Sequence, residues 1–184
     1  MKSLPRIIFL LLAFLAYGQQ CLAAANADEA RPVPEYAMKA VYIYNFAQLS
    51  SWPDAKNTAD NVFNLCIYGQ DGIASALDGL RGKKVGSRLL RVLLVSDAAE
   101  ARNCHLLYVG EGSGERGRRL FEALRGSPVL TITDDPRAER SGAMLLIVPD
   151  ERRLAFEVNL EAARRSQLQF SSKLLHLARR VIGE

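Results

Sequence analysis

The chain is short of the residues from which active sites are usually built. It has two histidines, His105 and His176, three cysteines and one tryptophan. Two scattered histidines and so few cysteines do not form a metal-ligand cluster. The turn Gly112-Ser-Gly lacks the G-x-S-x-G elbow, so Ser113 is no hydrolase nucleophile by pattern. The acidic pairs Asp134-Asp135 and Asp150-Glu151 lie beside Pro136 and Pro149, where turn chemistry explains them. An excess of one charge is lacking as well. Against 24 Lys and Arg stand 20 Asp and Glu, a net +4 that is too small to argue for nucleic acid. Past residue 17 no run is apolar for the ~20 residues that a membrane helix needs. There is no internal repeat or low-complexity tract, and 184 residues suggest one domain. These absences disfavour an enzyme, a metalloprotein and a nucleic-acid binder, and no cofactor is expected.

What is present begins with a targeting segment. Lys2 and Arg6 precede an apolar run from Ile7 to Tyr17, and small residues follow with Ala-x-Ala matches ending at Ala25 and Ala27. This is the pattern of a secretory signal peptide. Cleavage is expected after Ala27, giving a signal at 1–27 and a domain at 28–184. A lipidated Cys21 fits less well, because bulky Gln20 precedes it. Loss of Lys2 and Arg6 leaves 22 − 20 = +2. Cys66 and Cys104 then remain, in an oxidising compartment where a pair points to a disulfide rather than two free thiols. Closing that loop, 104 − 66 = 38 residues, stabilises by about 4 kcal/mol on a chain-entropy model.

Glu35 to Ser50 reads as a helix with a main stripe of Tyr36, Ala37, Ala40, Val41, Tyr44 and Ala47. Tyr42, Ile43, Phe46 and Leu49 make much of the rest apolar, broken only by Lys39, Asn45 and Gln48. Such a helix is buried on two sides or meets a partner. Ser51-Trp52-Pro53 ends it. Strands follow at Phe63–Gly69, Leu89–Val95, His105–Val109 and Val129–Thr133, separated by short helices. The nearly continuous apolar run Leu89–Val95 predicts burial on both faces. Ala143–Val148 and Leu154–Val158 form an antiparallel hairpin across Pro149-Asp150. The alternation predicts an α/β fold: one mostly parallel sheet, helices on both faces, and a C-terminal antiparallel hairpin.

Gly112-Ser-Gly114-Glu-Arg-Gly117 matches G-x-G-x-x-G between a strand and a helix, with Asp134 closing the next strand. That outlines a dinucleotide fingerprint. Against it, the motif follows the third strand, and Glu111 and Glu115 place negative charge where a pyrophosphate would sit. A flexible glycine-rich turn is the expectation.

The stretch Leu154 to Val181 carries the most information. Leu154, Phe156 and Val158 alternate with Ala155 and Glu157 as a strand. Asn159 then caps a short helix with Glu161 in its first turn. Ser171 or Ser172 caps a last helix whose Leu174, Leu175, Leu177, Ala178, Val181 and Ile182 make one apolar stripe. Lys173, His176, Arg179 and Arg180 take the other face. Glu157 and Asn159 end a strand that enters a helix, where α/β folds place ligands. They are the candidate ligand-cleft residues.

These residues also carry a resemblance. Phe156-Glu-Val-Asn, Ala162-Ala163, Ser171-Ser-Lys-Leu-Leu and Leu177-Ala-Arg are similar to the C-terminal signature of the YfiR family. Tyr36-Ala-Met-Lys-Ala, Tyr44-Asn-Phe-Ala and Trp52-Pro53 resemble its N-terminal signature. Cys66, Cys104 and Val129-Leu-Thr-Ile-Thr-Asp match between them. The chain departs from the best-known members in having no second cysteine pair after residue 104. The resemblance implies a periplasmic repressor, without enzymatic activity, of an inner-membrane diguanylate cyclase. Such a protein binds the cyclase's periplasmic part and lowers cyclic di-GMP, and with it biofilm formation. It further implies a homodimer and a second partner, an outer-membrane or peptidoglycan-associated lipoprotein. The expected partner surface is Tyr42, Phe46 and Trp52, with His176 and Arg180 on the last helix. The alternative is a periplasmic small-molecule sensor or solute-binding module serving another signalling partner.

Overall fold

The computed structural model describes residues 35–53, 56, 61–69, 72–137, 142–151 and 153–183. The expected signal peptide at 1–27 lies outside them. Helix α1 (Glu35–Gln48) opens the described chain. It turns Ala40, Ile43, Phe46 and Ala47 to the core, and Lys39 with them. Val41 points away and is 56% exposed. The buried stripe is therefore rotated from the expected one. The tyrosines explain the rotation. Tyr42 and Tyr44 flank the buried stripe, and their hydroxyls donate to the carbonyls of Leu154 (2.6 Å) and Lys84 (2.8 Å). A tyrosine buries its ring and keeps its hydroxyl bonded more easily at a flank than at the centre of a stripe.

The main sheet has eight strands. In chain order they are β2 (Val62–Tyr68), β3 (Lys84–Val85), β4 (Arg88–Val95), β5 (Leu106–Val109), β6 (Leu130–Thr133), β7 (Leu145–Asp150), β8 (Arg153–Asn159) and β10 (Arg180–Ile182). Their order across the sheet is β10-β8-β7-β6-β5-β2-β4-β3. The pairs β10/β8, β7/β6, β6/β5, β5/β2 and β2/β4 are parallel, and β7/β8 and β3/β4 are antiparallel. This is the expected mostly parallel α/β sheet with its antiparallel hairpin. A separate two-stranded ribbon joins β1 (Ser50–Ser51) to β9 (Gln169–Phe170).

Register builds the core. Leu65, Leu106 and Leu130 stand side by side, as do Ile67, Tyr108 and Ile132. All are buried, packed with α1 and with Ile73 and Leu77 of α2 (Ile73–Asp78). A second cluster joins Cys66, Leu107 and Val109 to Ala101 of α3 (Ala98–Ala101) and to Leu120 and Phe121 of α4 (Gly114–Ala123). In it Cys66 and Cys104 form a disulfide, with Cα atoms 6.0 Å apart. The bond ties β2 to the residue that leads into β5.

Three expectations are corrected by this arrangement. β4 is not buried on both faces: Leu94 is 73% exposed and Leu89 is exposed as well. The strand lies next to the two-residue edge strand β3, not in the middle of the sheet. The last helix, α6 (Ser172–Leu177), stops early. Ala178 is extended, the Arg179 amide donates to the Phe156 carbonyl at 2.8 Å, and Arg180–Ile182 pairs with β8. A free sheet edge offers those three residues backbone partners that water otherwise supplies. Trp52 is buried, not a surface extension of α1. Its indole N–H donates to the His105 carbonyl at 2.8 Å, and its ring meets Phe63 edge-on.

Candidate functional site

The strand order creates a crevice. The chain passes from β2 to β4 on one side, then returns to place β5 on the other side of β2. The loops that leave β2 and β5 therefore diverge, and open α/β sheets bind ligands at such a switch point, beyond the carboxyl ends of their strands. A cleft of about 1140 Å³ lies there. Tyr68 and Gly69 end β2, Gly110 to Ser113 follow β5, Asp134 follows β6, and Glu35, Tyr36 and Lys39 arrive from α1.

Lys39 is the anchor of this cleft. It is buried, and its Nζ lies 2.6 Å from Asp134 Oδ2 and 2.6 Å from Glu35 Oε1. Burial, the largest influence, pulls its pKa down. The hydrogen bonds and charges of Asp134 and Glu35 outweigh it, and the pKa ends above the usual lysine value. Asp134 Oδ1 accepts the Glu111 amide at 2.9 Å, so one carboxylate ties α1 to the turn after β5. Sequence reasoning missed this pair. Its one trace was a lone lysine amid the apolar residues of α1. Next to it Arg137 grips Asp135 through Nε (2.9 Å) and Nη2 (3.0 Å). The glycine motif closes the floor. A Cβ on Gly117 would lie 2.8 Å from Val109 Cγ1, so that glycine sets the close packing of α4 on β5.

The family comparison matches the YfiR/HmsC-like family model over residues 36–179. The chain belongs to the YfiR/HmsC-like family. That family is one of periplasmic, regulatory and non-catalytic proteins of cyclic di-GMP signalling. Among the described residues no helix is long and apolar enough to cross a membrane. Among solved structures this YfiR/HmsC-like chain is similar to an ABC domain from Streptococcus pneumonia crystallised with L-Trp. The TM-score is 0.52 at 8% identity, over 78% of this chain and 60% of that one. At that identity the likeness shows the fold alone, and the chain spans well under two thirds of that protein's length.

The expected site residues of this YfiR/HmsC-like protein fall into separate places. Phe46 is buried beneath α1, edge-on to Tyr42 and Phe156, and cannot serve as an exposed contact. Tyr42 is half-buried beside it. His176 is exposed on α6. Glu157 and Arg180, expected in two different roles, meet across the β8/β10 register. Glu157 is buried, and both Arg179 and Arg180 bond its carboxylate, with Arg180 Nε 3.1 Å from Oε2. Burial, the largest influence, raises the Glu157 pKa, but the two guanidinium groups more than reverse it and the carboxylate stays below its usual range. Asn159 caps α5 (Leu160–Arg165), where its Oδ1 accepts the Ala162 amide at 2.9 Å. Both polar ends of that expected cleft are thus occupied by the fold itself.

Proposed function

We propose that the protein represses an inner-membrane diguanylate cyclase by binding the cyclase's periplasmic part. One observation supports a protein contact most. An apolar groove of about 510 Å³ runs between α1, the β7–β8 hairpin and α6. Tyr42, Phe46, Leu154 and Phe156 line its floor, and Leu177, 58% exposed, stands at its rim. A partner's aromatic or aliphatic anchor gains burial in such a groove, and anchors of that kind dominate contact energy. The deciding experiment is deletion of the gene with measurement of cellular cyclic di-GMP. A rise that the wild-type gene reverses supports repression, and an unchanged level sinks it. An outer-membrane or peptidoglycan-associated lipoprotein as second partner and a homodimer belong to the same proposal, tested by pull-down from membranes and by sedimentation. A second reading, a small-molecule sensor module, draws support from the cleft at the switch point.

A further inference from the structure

The second half of β4 lies at an edge of the sheet. β3 covers only its start, where Lys84 pairs with Leu89. The last bonds across that edge join the Gly82 amide to the Leu90 carbonyl (3.0 Å) and the Leu90 amide to the Lys83 carbonyl (2.8 Å). The Leu89 amide turns the other way, to the Asn61 carbonyl just before β2 at 2.9 Å. Backbone groups alternate between the two sides of a strand. Arg91, Leu93 and Val95 therefore bond β2, while Val92 and Leu94 aim their N–H and C=O groups outward. Among the described residues no strand pairs with those two on that side. Leu94 is also the most exposed large apolar side chain described. Native sheets blunt their edges by brevity, charge or proline. The opposite edge does so, since β10 has three residues and begins with Arg180. Arg91–Val95 reads Arg-Val-Leu-Leu-Val, with its one charge at the end and strand-forming apolar residues after it. An edge in that state is a template for another strand.

This edge is complementary to itself. A two-fold axis through Leu93 sets two copies antiparallel, with Val92 of each opposite Leu94 of the other. Outward-facing residues then meet outward-facing residues, and every vacant backbone group on the edge gains a partner. An axis at Val92 would need Leu90, whose groups β3 already holds. An axis at Leu94 would need Ser96, whose amide is bonded to Glu100 Oε2 at 2.7 Å. Only the register through Leu93 uses free groups alone. It also opposes Arg91 to Val95, so no like charges face each other, and Asn64 Oδ1 accepts Arg91 Nε at 3.3 Å within the chain. The flanks add charge complementarity. β3 of one copy comes level with the point where the other chain leaves β4. Exposed Lys83 and Lys84 then approach exposed Asp97 and Glu100. Within the chain those two carboxylates accept backbone amides and the Ser96 hydroxyl, and no described residue forms an ion pair with any of the four.

We propose that β4 pairs antiparallel with β4 of a second copy of this chain, about a two-fold axis at Leu93, so that two sheets run on as one. The inference rests on the homodimer of the proposed function and names its interface. The test is sedimentation velocity over a dilution series, with residue-resolved amide hydrogen exchange, on the processed, full-length protein. The Val92 and Leu94 amides should exchange slowly in the dimer and fast in the monomer. The Leu93 amide, directed at β2, should stay protected in both. Leu94→Lys places a charge at an exposed edge position, and Leu94→Pro removes an N–H that β2 does not use. Each should weaken the dimer Kd by about tenfold or more while Tm stays within a few degrees of wild type. A dimer with unchanged Kd in both variants overturns the interface and leaves the homodimer standing. So does a wild-type dimer whose Val92 and Leu94 amides exchange as fast as in the monomer, a result that needs no variant. A wild-type chain that stays monomeric over the whole series overturns both.

Discussion

His105 is held neutral inside the fold. Its Nδ1 accepts the Asn64 amide at 3.0 Å, which leaves Nε2 to donate toward the Lys56 carbonyl at 3.3 Å. The ring stacks on Phe63 with centroids 4.9 Å apart. Burial first, then the charges of Arg88 and Lys56, push its pKa down to about 4. Between pH 6.5 and pH 4 the unfolded chain binds a proton there and the folded one does not. Stability is therefore full above that window and falls as pH drops through it, by roughly 3 kcal/mol from this one group. Urea melts at pH 7 and pH 4.5 should show that loss in the wild type and a much smaller one in His105→Gln. The disulfide acts at the same scale. Cys66→Ser frees a 38-residue loop in the unfolded chain and should lower Tm by roughly 10 °C. An unchanged melting curve would show that the bond adds nothing.

At the scale of elements, α1 is fastened to the sheet by one buried charge pair at its first turns and by an apolar stripe further along. Lys39→Met leaves Asp134 buried without its partner and should cost about 3–5 kcal/mol. Adding Asp134→Asn keeps the acceptor for the Glu111 amide and removes the stranded charge, so much of the loss should return. If the double variant is no more stable than the single one, the pair is not what holds the helix end. The sequence showed the helix clearly, but its inward face was ambiguous because nearly every side is apolar. The C-terminal segment was misread for a related reason. Leu177, Ala178, Val181 and Ile182 fit a helical stripe, and nothing local reports that a strand edge waits beside Phe156 and Glu157.

For the whole molecule, the useful distinction is between surface that a partner can reach and surface that the core has already taken. Leu177→Asp alters an exposed rim and should release repression while Tm stays within a few degrees of wild type. Phe46→Ala opens a cavity under α1 and should cost about 3–5 kcal/mol of stability, whatever it does to signalling. Cellular cyclic di-GMP paired with melting curves of the purified variants separates the two. If Leu177→Asp represses fully, the groove is not the contact.

Local pattern by itself determined the strands, the α/β class, the hairpin, the Asn159 cap and the pairing of Cys66 with Cys104. These depend on alternation, capping chemistry and the small number of cysteines in an exported chain. Tertiary structure alone decided that β5 returns to the far side of β2. That one crossing turns a glycine-rich connection into the floor of a cleft and brings Lys39 to Asp134 across 95 residues. It also decided that Arg180 lies opposite Glu157. Periodicity records which residues a helix or strand will bury. Which neighbour they are buried against is set by strand order and by competition for free edges, and both are contacts between segments distant in the chain.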